Sequence, residues 1–250
     1  MIEVNNFTKN YYYLNKTPAF SVSDINITAE TGSITGLLGP NGSGKSTIMK
    51  AICGFHFPTA GKIFLKDSHG NSIDVAENPE AAKDLIGYLP EKSILPPDMY
   101  VSDFLEYAAE IHGLYGIEKS KNINRVISEC SLEEVLAKKI KTLSKGYSQR
   151  VSLAQSIIHN PPNLILDEPV SGLDPAQINQ MRKLIKRMSE TKAVIMSTHI
   201  LQEVCSLCSK IYIINQGKLV ANGTEQQIIS ETGSKNLEEA FMALTGEGNE

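Results

Sequence analysis

The segment from Gly39 to Thr47 carries the most specific chemical pattern in the sequence. It fits G-x-x-x-x-G-K-[ST], and its residues are, in order, Gly39, Pro40, Asn41, Gly42, Ser43, Gly44, Lys45, Ser46 and Thr47. Glycines let backbone N–H groups reach a phosphate without obstruction by a Cβ atom, and the start of a helix adds partial positive charge. Lys45 would reach the β and γ phosphates, and the Ser46 hydroxyl would coordinate Mg²⁺. The pattern predicts a nucleoside triphosphate site and, alone, leaves the type of enzyme open.

Two adjacent carboxylates follow an apolar run at Leu164 to Leu166. They are Asp167 and Glu168, and Pro169 comes next. Open α/β sheets bind ligands at the carboxyl ends of their strands, where a bend lets neighbouring side chains face one ligand. We expect Asp167 to hold Mg²⁺, directly or through water, and Glu168 to act as general base or water-positioning residue for attack on the γ-phosphate. A charged strand end before a turn is the alternative, which the phosphate loop upstream disfavours.

His199 follows another apolar run, Ala193 to Met196. A lone histidine is usually structural. At the edge of the same sheet, however, it could donate a hydrogen bond to the γ-phosphate. His199 therefore joins Lys45 and Glu168 as a candidate catalytic residue.

An alternation of strands and helices must position these residues. The run Ser33 to Leu38 opens directly into the phosphate loop and a periodic helix at Ile48 to Ile52. Further apolar runs, the last three separated by helical patterns such as Gln177 to Met188, are Ile86 to Leu89, Leu164 to Leu166, Ala193 to Met196 and Ile211 to Ile214. This alternation predicts an α/β fold, a P-loop NTPase core with a mostly parallel sheet. Short β-type runs at Ile2 to Thr8 and Phe20 to Ile27 predict an N-terminal antiparallel β subdomain.

Strand signals disappear between Val101 and Ala137, where helical periodicity takes over and includes a pattern at Leu132 to Leu136. Breaker-rich segments border this region, Pro96-Pro97 before it and Thr142 to Gly146 after it. A chain of 250 residues suits one α/β domain. We predict a single domain whose parts are a core subdomain of about 1–91 and 160–231, an inserted helical lobe of about 92–159, and a short C-terminal helix at 236–245.

Composition and charge argue against several classes of function. The 24 Lys and Arg residues against 28 Asp and Glu give a net charge of −4 without a dense basic stripe, so we expect no nucleic-acid partner. The longest apolar run, Ala240 to Leu244, is far shorter than the roughly 20 residues of a membrane-spanning helix. The N-terminus shows no positive region followed by an apolar stretch. We therefore expect a cytoplasmic protein that does not itself cross a membrane.

Two of the four cysteines, Cys205 and Cys208, form a C-x-x-C pair. No second pair and no nearby His-x-His stands at the spacing of a zinc site. The pair falls in a helical pattern after a predicted strand, which favours two small buried hydrophobic residues. A redox role is the alternative.

With these residues in place, the sequence resembles the ATP-binding cassette (ABC) family from Phe7 to about Thr245. Leu143 to Val151 looks like the family signature, usually L-S-G-G-Q. Ser171 to Asp174 looks like its D-loop, and His199 looks like its switch histidine. All stand in the order and spacing of the family.

The resemblance implies a nucleotide-sandwich dimer, in which each ATP lies between the phosphate loop of one chain and the signature of the other. Ser144 and the Gly146 N–H would then contact the γ-phosphate held by the partner chain. Asp174 would couple the two sites across the dimer. From the residues alone, Ser144 is a helix N-cap before Tyr147 to Ile158.

The sequence departs from the family pattern at two places. The signature has Lys145 and Tyr147 where Gly and Gln are usual, a variant similar to exporter ATPase subunits of the drug, polysaccharide and gliding-motility type. Glu91 stands where the family usually has Gln. Its carboxylate could still bind Mg²⁺ or water through oxygen, but it lacks the amide donor.

An aromatic residue ahead of the phosphate loop stacks on adenine in this family. Phe7 to Tyr11 matches that segment best, which makes Tyr11 the expected residue. Tyr12 and Tyr13 are adjacent alternatives, and all three tyrosines could instead cover an exposed sheet edge.

The resemblance implies an ATPase subunit that binds ATP and Mg²⁺ and pairs with a second copy of itself. It would drive a separate transmembrane permease from the cytoplasmic face of the cell membrane, in the direction of export. A soluble ABC ATPase in an assembly or regulatory complex is the alternative. Glu168 disfavours a binding module with little turnover. The transported substrate cannot be read from the sequence, because in such systems specificity belongs to the membrane subunit.

Overall fold

The computed structural model describes residues 1–13 and 18–246. The strands are β1 (Ile2–Tyr12), β2 (Pro18–Ala29), β3 (Ser33–Leu38), β4 (Ala60–Lys66), β5 (Ser72–Asp74), β6 (Ile86–Leu89), β7 (Asn163–Asp167), β8 (Ala193–Thr198), β9 (Lys210–Asn215) and β10 (Lys218–Gly223). The helices are α1 (Lys45–Ile52), α2 (Pro79–Asp84), α3 (Val101–Ile111), α4 (Gly116–Cys130), α5 (Lys145–Ser156), α6 (Pro175–Ser189), α7 (Leu201–Leu207), α8 (Glu225–Thr232) and α9 (Leu237–Thr245). None of the helices in these two ranges is long and apolar enough to cross a membrane.

The central sheet has six strands in the order β10-β9-β3-β8-β7-β6. Neighbouring strands are parallel except for β10 with β9. Every residue of β7 and β8 is buried, as expected for parallel strands that helices cover on both faces. The predicted α/β fold with a mostly parallel sheet is confirmed.

The register of this sheet brings the carboxyl ends of β3, β7 and β8 together. Leu38 pairs with Thr198, and Asp167 pairs with Ser197. The phosphate loop follows β3, Glu168 follows β7, and the residue after β8 is His199. Three segments that are distant in the sequence therefore meet at one edge of the sheet, where ligands of open α/β folds bind.

A second sheet has four antiparallel strands in the order β2-β1-β4-β5. It confirms the predicted N-terminal β subdomain. β4 and β5 were not predicted, because two fully buried residues, Ile63 and Leu65, give too weak a signal within the seven residues of β4. The buried face of the sheet packs with α1 in one apolar cluster that includes Phe7, Ile25 and Ile48.

Helices α3, α4 and α5 occupy the sequence between β6 and β7, and they pack through buried residues such as Phe104, Val126 and Leu153. The helical pattern at Leu132 to Leu136 is corrected to a three-residue 3-10 turn. Ser131, with a φ of 54°, ends α4 just before this turn, so the two do not join, and 3-10 helices rarely exceed three or four residues. The assignment of this region to a separate lobe stays a prediction.

Two helices follow β10, where the sequence indicated one. The Thr224 hydroxyl caps α8 in a capping box with Gln227, a signature that sequence reading missed. The side chain of Asn236 caps α9, which lies at the position expected for the C-terminal helix.

The C-x-x-C pair lies at α7 and just after it. Cys208 is partly buried, and its Sγ lies 2.8 Å from the position that a Cβ atom would take on Gly36. Burial raises the pKa of Cys208 to about 12. Cys205 is exposed, so the prediction that both cysteines are buried is wrong for this residue. The reason is helical geometry, since the adjacent Val204 takes the face that points into the core.

Candidate functional site

A cavity of about 360 Å³ opens at the carboxyl edge of the central sheet. The residues that line it are Phe20, Asn41, Gly42, Ser43, Gly44, Lys45, Ser46, Thr47, Glu91, Asp167 and Glu168. Nearly all belong to the phosphate loop or to the carboxylates predicted from the sequence. Folding therefore gathers the candidate phosphate, metal and base residues in one place.

The phosphate loop has a backbone that requires glycine at Gly44. Its φ is 113°, a conformation that residues with a Cβ atom rarely adopt. A Cβ atom there would also lie 2.8 Å from a methyl carbon of Val22. Helix α1 begins at the next residue, Lys45, so the positive end of the helix dipole lies at the cavity wall.

The Lys45 side chain is held inside the loop. Its amine donates hydrogen bonds to the backbone carbonyls of Gly39 and Pro40, at 2.6 and 3.0 Å. Burial lowers the pKa of Lys45, while the negative charges of Glu168 and Asp167 oppose that shift. Because hydrogen bonds to ionised oxygens are stronger than those to neutral carbonyls, a phosphate can replace these partners.

Asp167 and Glu168 both line the cavity although they are neighbours in the chain. Asp167 ends β7, and Glu168 has a left-handed φ of 49°, which interrupts the alternation of side chains along the strand. Such a backbone costs about 1–3 kcal/mol in a non-glycine residue and is concentrated at functional sites. The Ser197 hydroxyl donates to Asp167 Oδ1 at 2.5 Å, and the Glu168 N–H donates to the Ser197 carbonyl at 3.2 Å. Strand β8 thus fixes both acidic residues.

His199 contacts Glu168 directly. Its Nδ1 lies 2.8 Å from Glu168 Oε1, and half of the histidine side chain is exposed. The other carboxylate oxygen, Oε2, is buried and has no hydrogen-bond partner in the described part of the chain. Sequence reasoning placed His199 at the γ-phosphate. The structure shows it holding one oxygen of the candidate base through Nδ1, and the γ-phosphate contact stays a prediction.

Two aromatic residues lie near the mouth of the cavity. Phe20 lines it, whereas Tyr11 does not and is 37% exposed. The two rings pack with centroids 6.5 Å apart, because Tyr11 pairs with Phe20 across β1 and β2. Tyr12 and Tyr13 are more exposed than Tyr11. Sequence reasoning missed Phe20, since its place depends on strand pairing.

Ser144, Gly146 and Asp174 lie outside the walls of this cavity. The Ser144 hydroxyl accepts a hydrogen bond from the Tyr147 N–H at 3.4 Å and caps α5, as its sequence position indicates. The Asp174 carboxylate accepts from the Gln177 N–H at 2.9 Å and caps α6. Within one chain, Ser144 and Asp174 therefore cap helices.

The residues of the cavity fit a magnesium nucleotide. Ser43 Oγ is buried and, like Glu168 Oε2, lacks a hydrogen-bond partner within the described residues. Unsatisfied buried polar atoms are costly, and a phosphate or its water would satisfy them. Ser46, Glu91 and Asp167 offer the oxygen ligands that Mg²⁺ prefers in proteins. The oxygen ligands and the backbone of the phosphate loop therefore both suit a magnesium nucleotide.

Comparison with known proteins identifies the family. The family model for ABC transporters matches residues 22–171. The linearmycin resistance ATP-binding protein LnrL of Bacillus subtilis is 33% identical over 217 residues, which are 86% of this chain and 68% of LnrL. The chain belongs to the ABC transporter family. It carries the ATP-binding ATPase domain of that family.

Three further matches define how far the likeness extends. The probable multidrug ABC transporter ATP-binding protein YbhF of Escherichia coli is 31% identical over 98% of this chain, which spans only 41% of YbhF. A solved ATP-binding subunit of an ABC transporter superposes with a TM-score of 0.83 at 28% identity, covering 98% of this chain and 99% of that one. The dimeric ABC cassette MJ0796, bound to ADP and Pi, has a TM-score of 0.75 at 24% identity, covers 90% of this chain and 98% of that one, and shows the shared fold.

Proposed function

We propose that two copies of this chain form a dimer around two Mg·ATP and that hydrolysis drives a separate transmembrane permease in the direction of export. The observation that carries the proposal is the division of the site. Lys45, Asp167 and Glu168 share one cavity, whereas Ser144 and Gly146 stand outside it. A second chain would supply the missing wall, as the dimeric state of a cassette of the same fold suggests.

Nucleotide binding would begin at the phosphate loop. The backbone N–H groups of Gly42 to Thr47 and the start of α1 favour the negative phosphates. Lys45 would exchange its bonds to the Gly39 and Pro40 carbonyls for the β and γ phosphates. Phe20 and Tyr11 form the aromatic surface at the mouth of the cavity that supports adenine.

Ser46 and Asp167 would hold Mg²⁺, and Glu91 would contribute a further oxygen. When bound, the ion neutralises negative charge on the phosphates. The hydrogen bond from Ser197 keeps Asp167 oriented for this role. Glu91 differs from an amide at the same place in carrying charge, which strengthens attraction for a cation and removes a donor.

Glu168 would activate or position the attacking water. Glu168 lines the cavity, and its Oε2 has no partner among the described residues, which makes this oxygen the candidate acceptor for the proton of the water molecule. His199 holds Oε1 at 2.8 Å and keeps the carboxylate in place. Because only Nδ1 contacts Glu168, Nε2 of the same ring would be the nitrogen that donates a hydrogen bond to the γ-phosphate.

Completion of each site would come from the other chain. The Ser144 hydroxyl and the Gly146 N–H at the start of α5 present hydrogen-bond donors and the positive end of a helix dipole. Both favour the charge of a γ-phosphate. Asp174, at the start of α6, would link the two sites across the dimer.

A second cavity, of about 280 Å³, offers a place for the permease. Its walls include Phe55, Tyr88 and His112. The Phe55 side chain is 65% exposed and meets Tyr88 edge to face, with centroids 5.5 Å apart. Exposed aromatic residues beside a cavity favour a protein partner. The exporter-like Lys145 and Tyr147 and the multidrug and linearmycin-resistance names of relatives support the proposed direction of export.

Purification of the tagged chain from mild-detergent extracts of membranes tests the proposal. We expect one polytopic membrane protein to copurify, and the purified complex to hydrolyse ATP. Recovery with only soluble proteins, together with retained ATPase activity, would favour the assembly or regulatory ATPase. A chain that binds ATP but does not hydrolyse it, alone or with its partners, contradicts the catalytic part.

A further inference from the structure

The start of α5 packs against the segment that follows Glu168 through a row of four contacts. They pair Lys145 with Gly172, Gly146 with Gln177, Gln149 with Pro169, and Arg150 with Gln180. One side of the row belongs to the signature and its first helical turns. The other side runs from the residue after the candidate base into the first turns of α6. The row joins the part of the chain that would touch one ATP to the part that would hydrolyse the other.

Gln149 makes the buried polar contact of this row. Its side chain is 9% exposed, and Nε2 donates a hydrogen bond to the Pro169 carbonyl at 3.2 Å. Pro169 is bonded directly to Glu168, whose φ of 49° already lies in an uncommon region. Because the proline ring fixes φ and restricts the residue before it, displacement of Pro169 is transmitted to Glu168 with little loss.

The neighbouring contacts prevent the two segments from sliding past each other. A Cβ atom on Gly146 would lie 2.7 Å from Gln177 Cδ, so the helix start rests directly on α6. The amine of Lys145 covers Gly172 so closely that a side chain there would collide with it. Close packing of this kind transmits small displacements instead of absorbing them.

We propose that Gln149 is a positioning residue that couples the signature of a chain to the Glu168 of the same chain. The inference rests on the proposed dimer, where the signature contacts the ATP of the partner while Glu168 acts on the ATP of its own chain. When the signature contacts the partner's ATP, α5 moves, and its Gln149 shifts Pro169. This shift places the Glu168 carboxylate in its catalytic position. Each chain then hydrolyses its own ATP efficiently when the partner chain is also loaded.

Mixed dimers of the full chain, purified through two different affinity tags, test this direction of coupling. Glu168→Gln silences one site. Gln149→Glu keeps the shape of the side chain and replaces the donor amide with an acceptor. In the first dimer, Glu168→Gln and Gln149→Glu lie in different chains, so the altered glutamine accompanies the working base. In the second dimer, both changes lie in one chain and the partner is wild type.

We expect the first dimer to hydrolyse ATP on the order of 10- to 100-fold more slowly than a dimer with Glu168→Gln alone in one chain, because the base is misplaced. The second dimer should match that reference. A loss in the second dimer only, which would mean that Gln149 supports the signature contact, overturns the proposal, and so does an equal loss in both or a loss in neither.

Gln149→Met provides a second substitution of similar length that avoids a buried charge, and it should give the same pattern. Gln226→Glu, at an exposed position of α8, is the matched control and should leave both dimers at the reference rate. The ATP concentration for half-maximal turnover should stay within about twofold throughout, since the phosphate loop is unchanged.

Failure of the proposed function would give different experimental results from failure of the coupling alone. A wild-type chain without ATPase activity, or a Glu168→Gln chain that stays monomeric with ATP, refutes the dimeric ATPase and with it the coupling. Wild-type activity and an ATP-bound Glu168→Gln dimer, combined with unaltered turnover of the Gln149 variants, refute the coupling alone.

Discussion

The phosphate loop and the signature lie in the same chain but are built differently. The loop from Gly39 to Thr47 forms a cavity with Asp167 and Glu168, and two buried oxygens there lack partners among the described residues. At the signature, the Ser144 hydroxyl caps the helix that it begins, and Gly146 packs on α6. The loop is thus incomplete without a ligand, whereas the signature is satisfied within its own chain. For the proposed dimer, this difference predicts that nucleotide binding precedes pairing of the chains.

The same comparison distinguishes the chemistry of the two regions. In the first, charge is concentrated, since Lys45, Glu168 and Asp167 line one cavity and interact electrostatically in a partly buried setting. In the second, backbone N–H groups and a hydroxyl offer dipoles without a catalytic carboxylate. Substitutions in the first region should therefore affect affinity or chemistry, and substitutions in the second should affect assembly.

The largest effect is expected from Glu168→Gln. The amide keeps its oxygen for the contact with His199 but accepts a proton poorly, so turnover should fall by about 10²- to 10⁴-fold while ATP affinity is retained. Phosphate release measures turnover, and size-exclusion chromatography with ATP should show a trapped dimer. Glu190→Gln, an exposed change at the end of α6, should behave as wild type. Near-normal hydrolysis by Glu168→Gln would remove this residue from the mechanism.

Lys45→Ala should act on binding. Loss of a charge-assisted contact with the phosphates, worth about 1.5–3 kcal/mol, should weaken ATP affinity by roughly 10- to 100-fold in a titration with a fluorescent nucleotide. Lys50→Ala removes an exposed lysine from the last turn of the same helix and is the control. Equal affinities of the two variants would contradict the phosphate contact.

Ser144→Ala should separate the two regions most clearly. The variant loses a helix cap worth about 1 kcal/mol and, in the proposed dimer, a contact to the partner's ATP. We expect ATP binding by the single chain to stay unchanged and dimer formation in the Glu168→Gln background to weaken by about tenfold. Asn236→Ala removes an equivalent cap from α9, so its melting temperature should fall similarly while dimer formation stays intact. Similar dimer formation in both would show that Ser144 is only a cap.

The smallest effect is expected at the aromatic residues. Phe20→Ala should weaken ATP binding several-fold and Tyr11→Ala less, because Phe20 lines the cavity and Tyr11 only packs against the Phe20 ring. Affinities for ATP and for tripolyphosphate, which lacks the base, separate stacking from phosphate binding. A larger loss in Tyr11→Ala would restore the assignment made from sequence, and Tyr12→Ala, at a more exposed position, is the control.

The sequence predicted much of the fold and of the candidate site for identifiable reasons. Continuous apolar runs mark the buried strands β3, β7 and β8, and parallel strands place their carboxyl ends at one edge. The sequence did not predict β4, because only Ile63 and Leu65 of its seven residues are buried, which is too short an apolar pattern to recognise. The sequence also predicted, wrongly, that Cys205 is buried, because a pattern of seven helical residues does not reveal which face packs against the core.

By itself, the sequence determined the chemistry of the phosphate loop, the two carboxylates and the helix cap at Ser144. Each is a local property, in which residue type and spacing fix backbone conformation and the groups presented. Only the tertiary structure decided that Phe20 lines the cavity, that His199 holds Glu168, and that Gln149 reaches Pro169. These contacts join segments that are 20 or more residues apart, so they depend on the packing of strands and helices and leave no local pattern to read.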